Sequence, residues 1–308
     1  MPAKIAILGS LNIDIVTTVA HLPAPVETVM AHTISQLRGG KGANQTLAAT
    51  RHGAIVSLIG CLGDEEDGAS YRRFLEQEGV DASGLVQLPG ERTGTALIVV
   101  DKSGENQIVV VPGANGCVTR DFVSEHAELI RGADVLLVQM ETTLPALLEA
   151  IRIANGAGVP VILNPSPLRK EFPWGTVILA TLIINETEAA ELFRFPPASL
   201  IDQYESLREQ LPALGASQVV ITRGGDSTIC VSMEKAFEIP TLAVDPVDTV
   251  GAGDTFAGVL AVRLAEGEPL HHAALIANCA GALATLQTGA QEAIPKRADV
   301  EAAAPRLE

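Results

Sequence analysis

The sequence predicts an α/β fold: a parallel sheet covered by helices on both faces, with a small extra sheet standing off it. Three observations predict this. Short apolar runs alternate with longer helix-patterned stretches along most of the chain, the rhythm of βα units. Hydrophobic residues make up 47% of the 308 residues and aromatic ones 3%. The core must therefore be mostly Ala, Val, Leu and Ile, a mixture suited to parallel strands under helices. Two zones, 13–37 and 93–111, break the rhythm with Val-, Thr- and Ile-rich sequence and no helical pattern.

The elements follow in order. KIAILGS reads as a first strand ending at Gly9, and the β-rich zone from Ile13 to Leu37 comes next. GANQTLAATRHGA is a helix leading to IVSLIGCLG, a core strand, and DGASYRRFLEQEGV is a second helix. TGTALIVVDKSGENQIVVV is a hairpin, two β-rich runs around DKSGEN. ADVLLVQM and VPVILNPS are strands separated by the helix LPALLEAIRIANGAG. TVILATLIINETEAAELF is a strand running into a helix, and ASQVVITRGG is a strand ending in glycines. VGAG turns sharply into DTFAGVLAVRLAEG, whose apolar spacing is helical. ADVEAAAPRLE is a last helix with a frayed end. The whole chain, 1–308, is expected to form one α/β domain.

A net charge of −16 argues against a nucleic-acid surface, which needs clustered Lys and Arg. Cys61, Cys117, Cys230 and Cys279 are far apart and lack C-x-x-C spacing, so buried thiols in a reducing compartment are expected. MPAKIAILGS has no long apolar signal region, and no apolar run approaches the roughly 18 residues of a membrane helix. A soluble cytoplasmic protein is the expectation. The histidines, His271 and His272 among them, carry no readable signal and are expected at the surface.

In open α/β sheets ligands sit at the carboxyl ends of strands, so the chemistry is sought there. After the first strand, Asn12 and Asp14 stand two apart and point to one face of an extended chain. An amide and a carboxylate so placed suit a polyol; they also suit a turn and strand-start cap. RGGKGANQ follows, with glycines that admit close backbone approach and Asn44 near a helix start. It is not a Walker A loop, since G-x-x-x-x-G-K-[ST] does not fit, nor a dinucleotide fingerprint, because Gln45 stands where the third glycine belongs. Glu141 lies at a strand end in QMETT. In IINETE, Asn185 ends a strand and Glu188 follows three residues on. That pair can organise hydrated Mg²⁺ near phosphates, or serve as a helix cap with a first-turn acid. Thr222, Gly224 and Gly225 end VVITRGG, where a nucleotide or a plain tight turn would fit.

DTVGAGDTF carries the sharpest signal. The N–H groups of Gly251, Ala252 and Gly253 would cluster at a helix N-terminus, a ready anion site. Asp254 stands inside it. A carboxylate beside a bound anion wants a reason, and a base aimed at a nucleophilic hydroxyl supplies one; a first-turn acid stabilised by the helix dipole is the alternative. Asp248, on the other side of the turn, suits a bound cation or a cap.

Together GSLNID, GGKGANQ, NETE, DTVGAGDTF and GAQEAIP resemble the ribokinase-like (PfkB) family of sugar kinases, along nearly the whole chain. The resemblance implies a Rossmann-like, mostly parallel sheet flanked by helices. It also implies a β-sheet lid, placed here at about 13–37 and 93–111, that doubles as a homodimer clasp. The implied activity is ATP-dependent phosphorylation of a sugar, D-ribose at O5 first of all, with a deoxyribose, nucleoside or pseudouridine, or fructose kinase as alternatives. Carried over by motif, the implied sugar contacts are Asn12, Asp14, Gly40, Lys41, Asn44 and Glu141, and the implied base is Asp254, with Gly251, Ala252 and Gly253 as anion hole. Implied nucleotide contacts are Asn185, Thr222, Arg223, Gly224, Gly225, Asp226, Ser227, Gly253 and Asn278, with Glu188 completing the N-x-x-E motif for Mg²⁺. An implied K⁺ site falls on Asp248, Val250, Ala284, Gln287, Gly289 and Ala293. Two positions depart from the pattern: Ala293 stands where serine is common, and Val26 where a glycine usually precedes the Glu-Thr pair.

Overall fold

The structure, a computed structural model, describes residues 1–195 and 203–306. In chain order the elements are β1 (Lys4–Leu8), β2 (Asn12–Val19), β3 (Thr33–Gly39), α1 (Lys41–Arg51), β4 (Ile55–Gly63), α2 (Glu66–Gln77) and β5 (Leu85–Leu88). Then come β6 (Gly94–Asp101), β7 (Asn106–Val111), α3 (Arg120–Glu125), α4 (Ala127–Arg131), β8 (Val135–Gln139), α5 (Leu144–Ala157), β9 (Val161–Asn164), β10 (Thr181–Asn185) and α6 (Glu186–Phe193). The chain ends with α7 (Tyr204–Leu214), β11 (Gln218–Thr222), β12 (Thr228–Ser232), β13 (Ala236–Ile239), α8 (Ala252–Ala265), α9 (Leu270–Ala284) and α10 (Arg297–Ala303). The expected frayed end falls partly on 307–308, outside the described residues.

The main sheet runs β13-β12-β11-β10-β9-β8-β1-β4-β5. Every neighbouring pair from β11 through to β5 is parallel, and β12 and β13 turn back antiparallel at one edge. The antiparallel edge was not read from the sequence. β1 pairs with β4 on one side and β8 on the other. The chain therefore winds outward in both directions from β1, and the crevice at its carboxyl end is the switch point where such sheets bind ligands.

Period-two alternation divides the core into two layers. Ile5 and Ile7 pack with α1, α8 and α9 on one face. Ala6 and Leu8 pack with α5 and the neighbouring helices on the other. Local signals set the helix ends. Thr143 Oγ1 accepts from the Ala146 amide to open α5, and Gly158, at φ 71°, closes it.

The chain leaves the main sheet twice, between β1 and α1 as β2 and β3 and after β5 as β6 and β7, to build a second sheet, β3-β2-β6-β7. β2 runs parallel to β6, and β3 and β7 flank them antiparallel. Asn12 opens this sheet between Gly39 and Gly94, directly above the carboxyl end of β1. In the β2–β3 connection Val26 has φ 68°, a conformation unfavourable for a β-branched residue. This is why a glycine suits that position.

Two expectations are corrected. Cys61, Cys230 and Cys279 are buried free thiols, but Cys117 is only half-buried, at the end of a short turn of helix. His52 is fully buried rather than at the surface. It closes α1, and burial, with Arg263 and Arg297 nearby, pushes its pKa down to about 4, so it is neutral there.

Candidate active site

The predicted sugar-side residues converge at the switch point. Asn12 and Asp14 lie two apart on β2 and share a face. Asn12 Oδ1 accepts from Asn115 Nδ2 at 2.9 Å, and Asn115 is locked in turn to the Leu11 backbone at 3.0 Å in both directions. The Glu141 carboxylate accepts from Ser10 Oγ at 2.5 Å and from the Lys41 amide at 3.3 Å. Gly40 is the N-cap of α1 and Lys41 its first residue. Asp14 is half-buried among acids. Burial first, then Glu141, Asp254 and Glu292, push its pKa up to about 7.

Asp254 sits in the first turn of α8, 7% exposed. Asn44 Nδ2 donates to one of its oxygens and Gln45 Nε2 to the other, each at 3.0 Å. Two glycines make this placement possible. Gly251, at φ 78°, caps α8 in the left-handed region. Gly258 lets α8 lie on α1, for a Cβ there would sit 2.5 Å from Gln45 O and 2.7 Å from Ala48 Cβ. At the mouth of α8, the Ala252 amide bends back to Thr249 O at 3.3 Å. The Gly253 and Asp254 amides find no acceptor among the described residues, as expected of a free helix N-terminus. The Asp254 carboxylate, and more weakly Glu141 and Glu188, hold the Lys41 ammonium above its usual range.

A cavity of about 220 Å³ opens on this mouth, lined by Lys41, Asn185, Glu188, Gly251, Gly253 and Asp254 among others. Thr222, Thr249 and Gly253 also line a second cavity of about 520 Å³, so the two adjoin. Gly224, Gly225 and Asn278 line the larger one, with Leu242, Val244, Phe256 and Ala282 supplying an apolar wall. The Asn278 amide is occupied in that wall, accepting from Thr228 Oγ1 at 2.7 Å and donating to Pro240 O at 3.1 Å. Arg223, Asp226 and Ser227 do not line it. Arg223 bonds Ser227 O at 2.7 Å and pairs with Glu238, and Asp226 O accepts from Thr241. These three tie the turn together.

Asn185 and Glu188 form a capping box on α6. Asn185 Oδ1 accepts the Glu188 amide at 2.8 Å, and Glu188 Oε2 accepts the Asn185 amide at 3.0 Å. The cap reading and the cation reading are compatible. Capping uses one carboxylate oxygen, and Glu188 still lines the smaller cavity, where a hydrated Mg²⁺ needs only a carboxylate or two plus phosphate. Asp248 likewise caps and collects: its two oxygens accept the Val250 and Gly289 amides, each at 3.0 Å. The carbonyl of Thr285, next to Ala284, accepts from the Val247 and Asp248 amides, and Ala293 donates to Gly289 O. These bonds tie the loop to the turn before α8. Gln287 lies exposed in the same loop.

Sequence reading passed over the amides behind Asp254. Gln291 Nε2 donates to Asn44 Oδ1 at 3.0 Å and to the Tyr71 hydroxyl, which donates to Gly39 O at 2.7 Å. Gln45, Gln139 and Asn164 complete the set. Gln45 and Gln291 lie inside GGKGANQ and GAQEAIP, which was the available signal, but their partners come from distant segments.

Known proteins resemble this chain along nearly its whole length. The chain is 37% identical over 299 residues to ribokinase of Bacillus subtilis, covering 97% of this chain and 98% of that one. It is 37% identical over 96% of its length to a bifunctional ribokinase/ribose-5-phosphate isomerase A of Fructilactobacillus sanfranciscensis, of which it spans 55%. The fold superposes on Arabidopsis thaliana ribokinase, solved with ribose and ATP, at a TM-score of 0.90 and 28% identity over 99% of both chains. The model of the pfkB family of carbohydrate kinases matches residues 2–297. With a sheet switch point, a glycine-capped helix mouth and a carboxylate set inside it, the chain belongs to the pfkB family of carbohydrate kinases.

Proposed function

We propose that this chain is an ATP-dependent sugar kinase that phosphorylates D-ribose at O5, yielding ribose 5-phosphate and ADP. One observation carries the reading. The larger cavity runs through Thr222, Thr249 and Gly253 into the smaller one, and Asp254 stands at its far end, facing Asn44 on the sugar side. A nucleotide in the first cavity and a sugar beside Asn12, Asp14, Asn44 and Glu141 would present phosphate and hydroxyl to each other across Asp254.

Phosphoryl transfer is mostly positioning and charge stabilisation. Asn12, Asp14, Asn44 and Glu141 hold hydroxyls and aim the sugar. Free amides at the mouth of α8, with Lys41 beside them, offset charge on the moving phosphoryl. Asp254 takes the O5 proton as the O5–P bond forms and the bond to the β-phosphate oxygen breaks. Asn185 and Glu188 would hold Mg²⁺, which neutralises phosphate charge when bound. Asp248, Val250, Ala284, Gln287, Gly289 and Ala293 would hold K⁺ behind the mouth. Gly251 packs directly on Ala290 of that loop, so the loop supports the turn from outside.

A coupled ADP-release assay tests this over ribose, deoxyribose, pseudouridine and fructose, in K⁺ and in a large organic cation. Ribose should give the highest kcat/KM, and K⁺ should raise it. A preferred sugar other than ribose would move the chain to another substrate within the family. Equal rates in both cations would remove the K⁺ site.

A further inference from the structure

Asp254 is held by neutral amides whose polarity is fixed from the backbone outward. Asn164 Nδ2 donates to Ile183 O at 2.9 Å, which turns Asn164 Oδ1 toward Gln45. Gln45 Nε2 then donates to Asn164 Oδ1 and to Asp254 Oδ1, both at 3.0 Å. From the other side Gln139 Nε2 donates to Gln45 Oε1 at 2.6 Å. Gln45 therefore has one orientation available: a flipped amide would set its oxygen against the Asp254 carboxylate and its nitrogen against another donor. Gln45 is 0% exposed and Gln139 1%, so both amides lie away from bulk solvent.

We propose that Gln45 is a positioning residue for the phosphoryl transfer, holding the Asp254 carboxylate in the rotamer that faces the sugar hydroxyl. It occupies one lone pair of Oδ1 without bringing a cation to the base, and Asn44 does the same at Oδ2. The proposal rests on the reading of Asp254 as the base. Misplacing a reacting group by about 1 Å can cost about 10²-fold in rate, so the loss of this restraint belongs in kcat.

The experiment is a double-variant cycle on the full chain: Gln45→Met, Asp254→Asn and both together, with kcat, KM for ribose and the thermal unfolding midpoint of each. Gln45→Met should lower kcat about 10–10²-fold with KM nearly unchanged. Asp254→Asn should lower it at least about 10²-fold. The double variant should match Asp254→Asn, because Gln45 acts only through that carboxylate. Gln139→Leu, which releases the Gln45 amide without touching it, should show a smaller kcat loss that Asp254→Asn also masks; it decides the matter if Gln45→Met does not fold. Wild-type kcat in both Gln45→Met and Gln139→Leu overturns the proposal, as does a double variant slowed by the full product of the two factors. Near-normal turnover in Asp254→Asn overturns the base reading itself, on a different variant from those that test Gln45.

Discussion

Asp14 is the residue at which pH should be felt. Burial and the neighbouring Glu141, Asp254 and Glu292 raise its pKa from 3.8 to about 7. The folded protein thus holds this proton where the unfolded chain has lost it. Its contribution to stability is complete below the unfolded value and disappears as pH rises through about 7. Sugar binding runs the other way, because a hydroxyl donates more strongly to an ionised carboxylate than to the protonated acid, which keeps only a weaker neutral acceptor. KM for ribose should therefore fall as pH rises through about 7. Asp14→Asn should raise KM and flatten the slope; a slope that survives in Asp14→Asn would assign the titration elsewhere. At this scale the Asn12–Asp14 pair and Asp254 were legible in the sequence, since spacing on a strand and a glycine turn before a helix are local signals. Asn115, 103 residues from Asn12, and Gln291, 247 from Asn44, were not, because only the folded chain brings them together. His52 escaped for the same reason: nothing local announces that two arginines and α10 will close over it.

The pairing of α1 with α8 decides whether Asn44, Gln45 and Asp254 meet. Both helices were readable from apolar spacing. That they lie on each other was not, because the determinant is a missing side chain, Gly258, which a sequence presents only as a weak helix former. Gly258→Ala would place a methyl 2.5 Å from a backbone oxygen of α1, so the helix axis must move. Overpacking of this kind typically costs about 1–3 kcal/mol, and here the shift also pulls Asp254 from its two amides. Gly258→Ala should lower both the unfolding midpoint and kcat. A variant destabilised by that amount but with full kcat would show that Asp254 does not depend on helix contact for its position. Other elements were hidden by length and polarity. β5 and β13 are each four residues, too short for alternation to stand out, and β12 and β13 follow a glycine turn that looks like the end of a strand rather than a hairpin.

The two-sheet plan of the whole molecule leaves one surface unexplained by the monomer. In the small sheet, Asp14 shares its face with Ala96, Ile98, Ile108 and Val110, across the registered pairs of β2, β6 and β7, and on β7 Ile108 and Val110 are exposed by 54 and 50%. The opposite face carries Ile34, Leu97, Val109 and Val111, exposed by 74, 43, 61 and 52%. A sheet apolar on both sides needs cover on both, and apolar patches of this kind mark interaction surfaces. β7 is exposed along its whole length and forms one edge of the small sheet, with β3 at the other, and such an edge invites pairing with another chain. The sequence announced the small sheet through its two β-rich zones, but not which of its apolar residues would stay bare, because that depends on register and on what packs above each face. A second copy, through the homodimer clasp that the family resemblance implies, is the occupant expected for this surface. Val109→Lys places a charge in the middle of that face without altering the sugar side. Sedimentation should find a dimer for the wild type and a monomer for Val109→Lys. If the small sheet is a lid braced by the second copy, KM for ribose should rise more than kcat falls in that variant. A wild-type protein that sediments as a monomer, or a Val109→Lys variant that stays dimeric, would place the clasp elsewhere and leave this face to another partner.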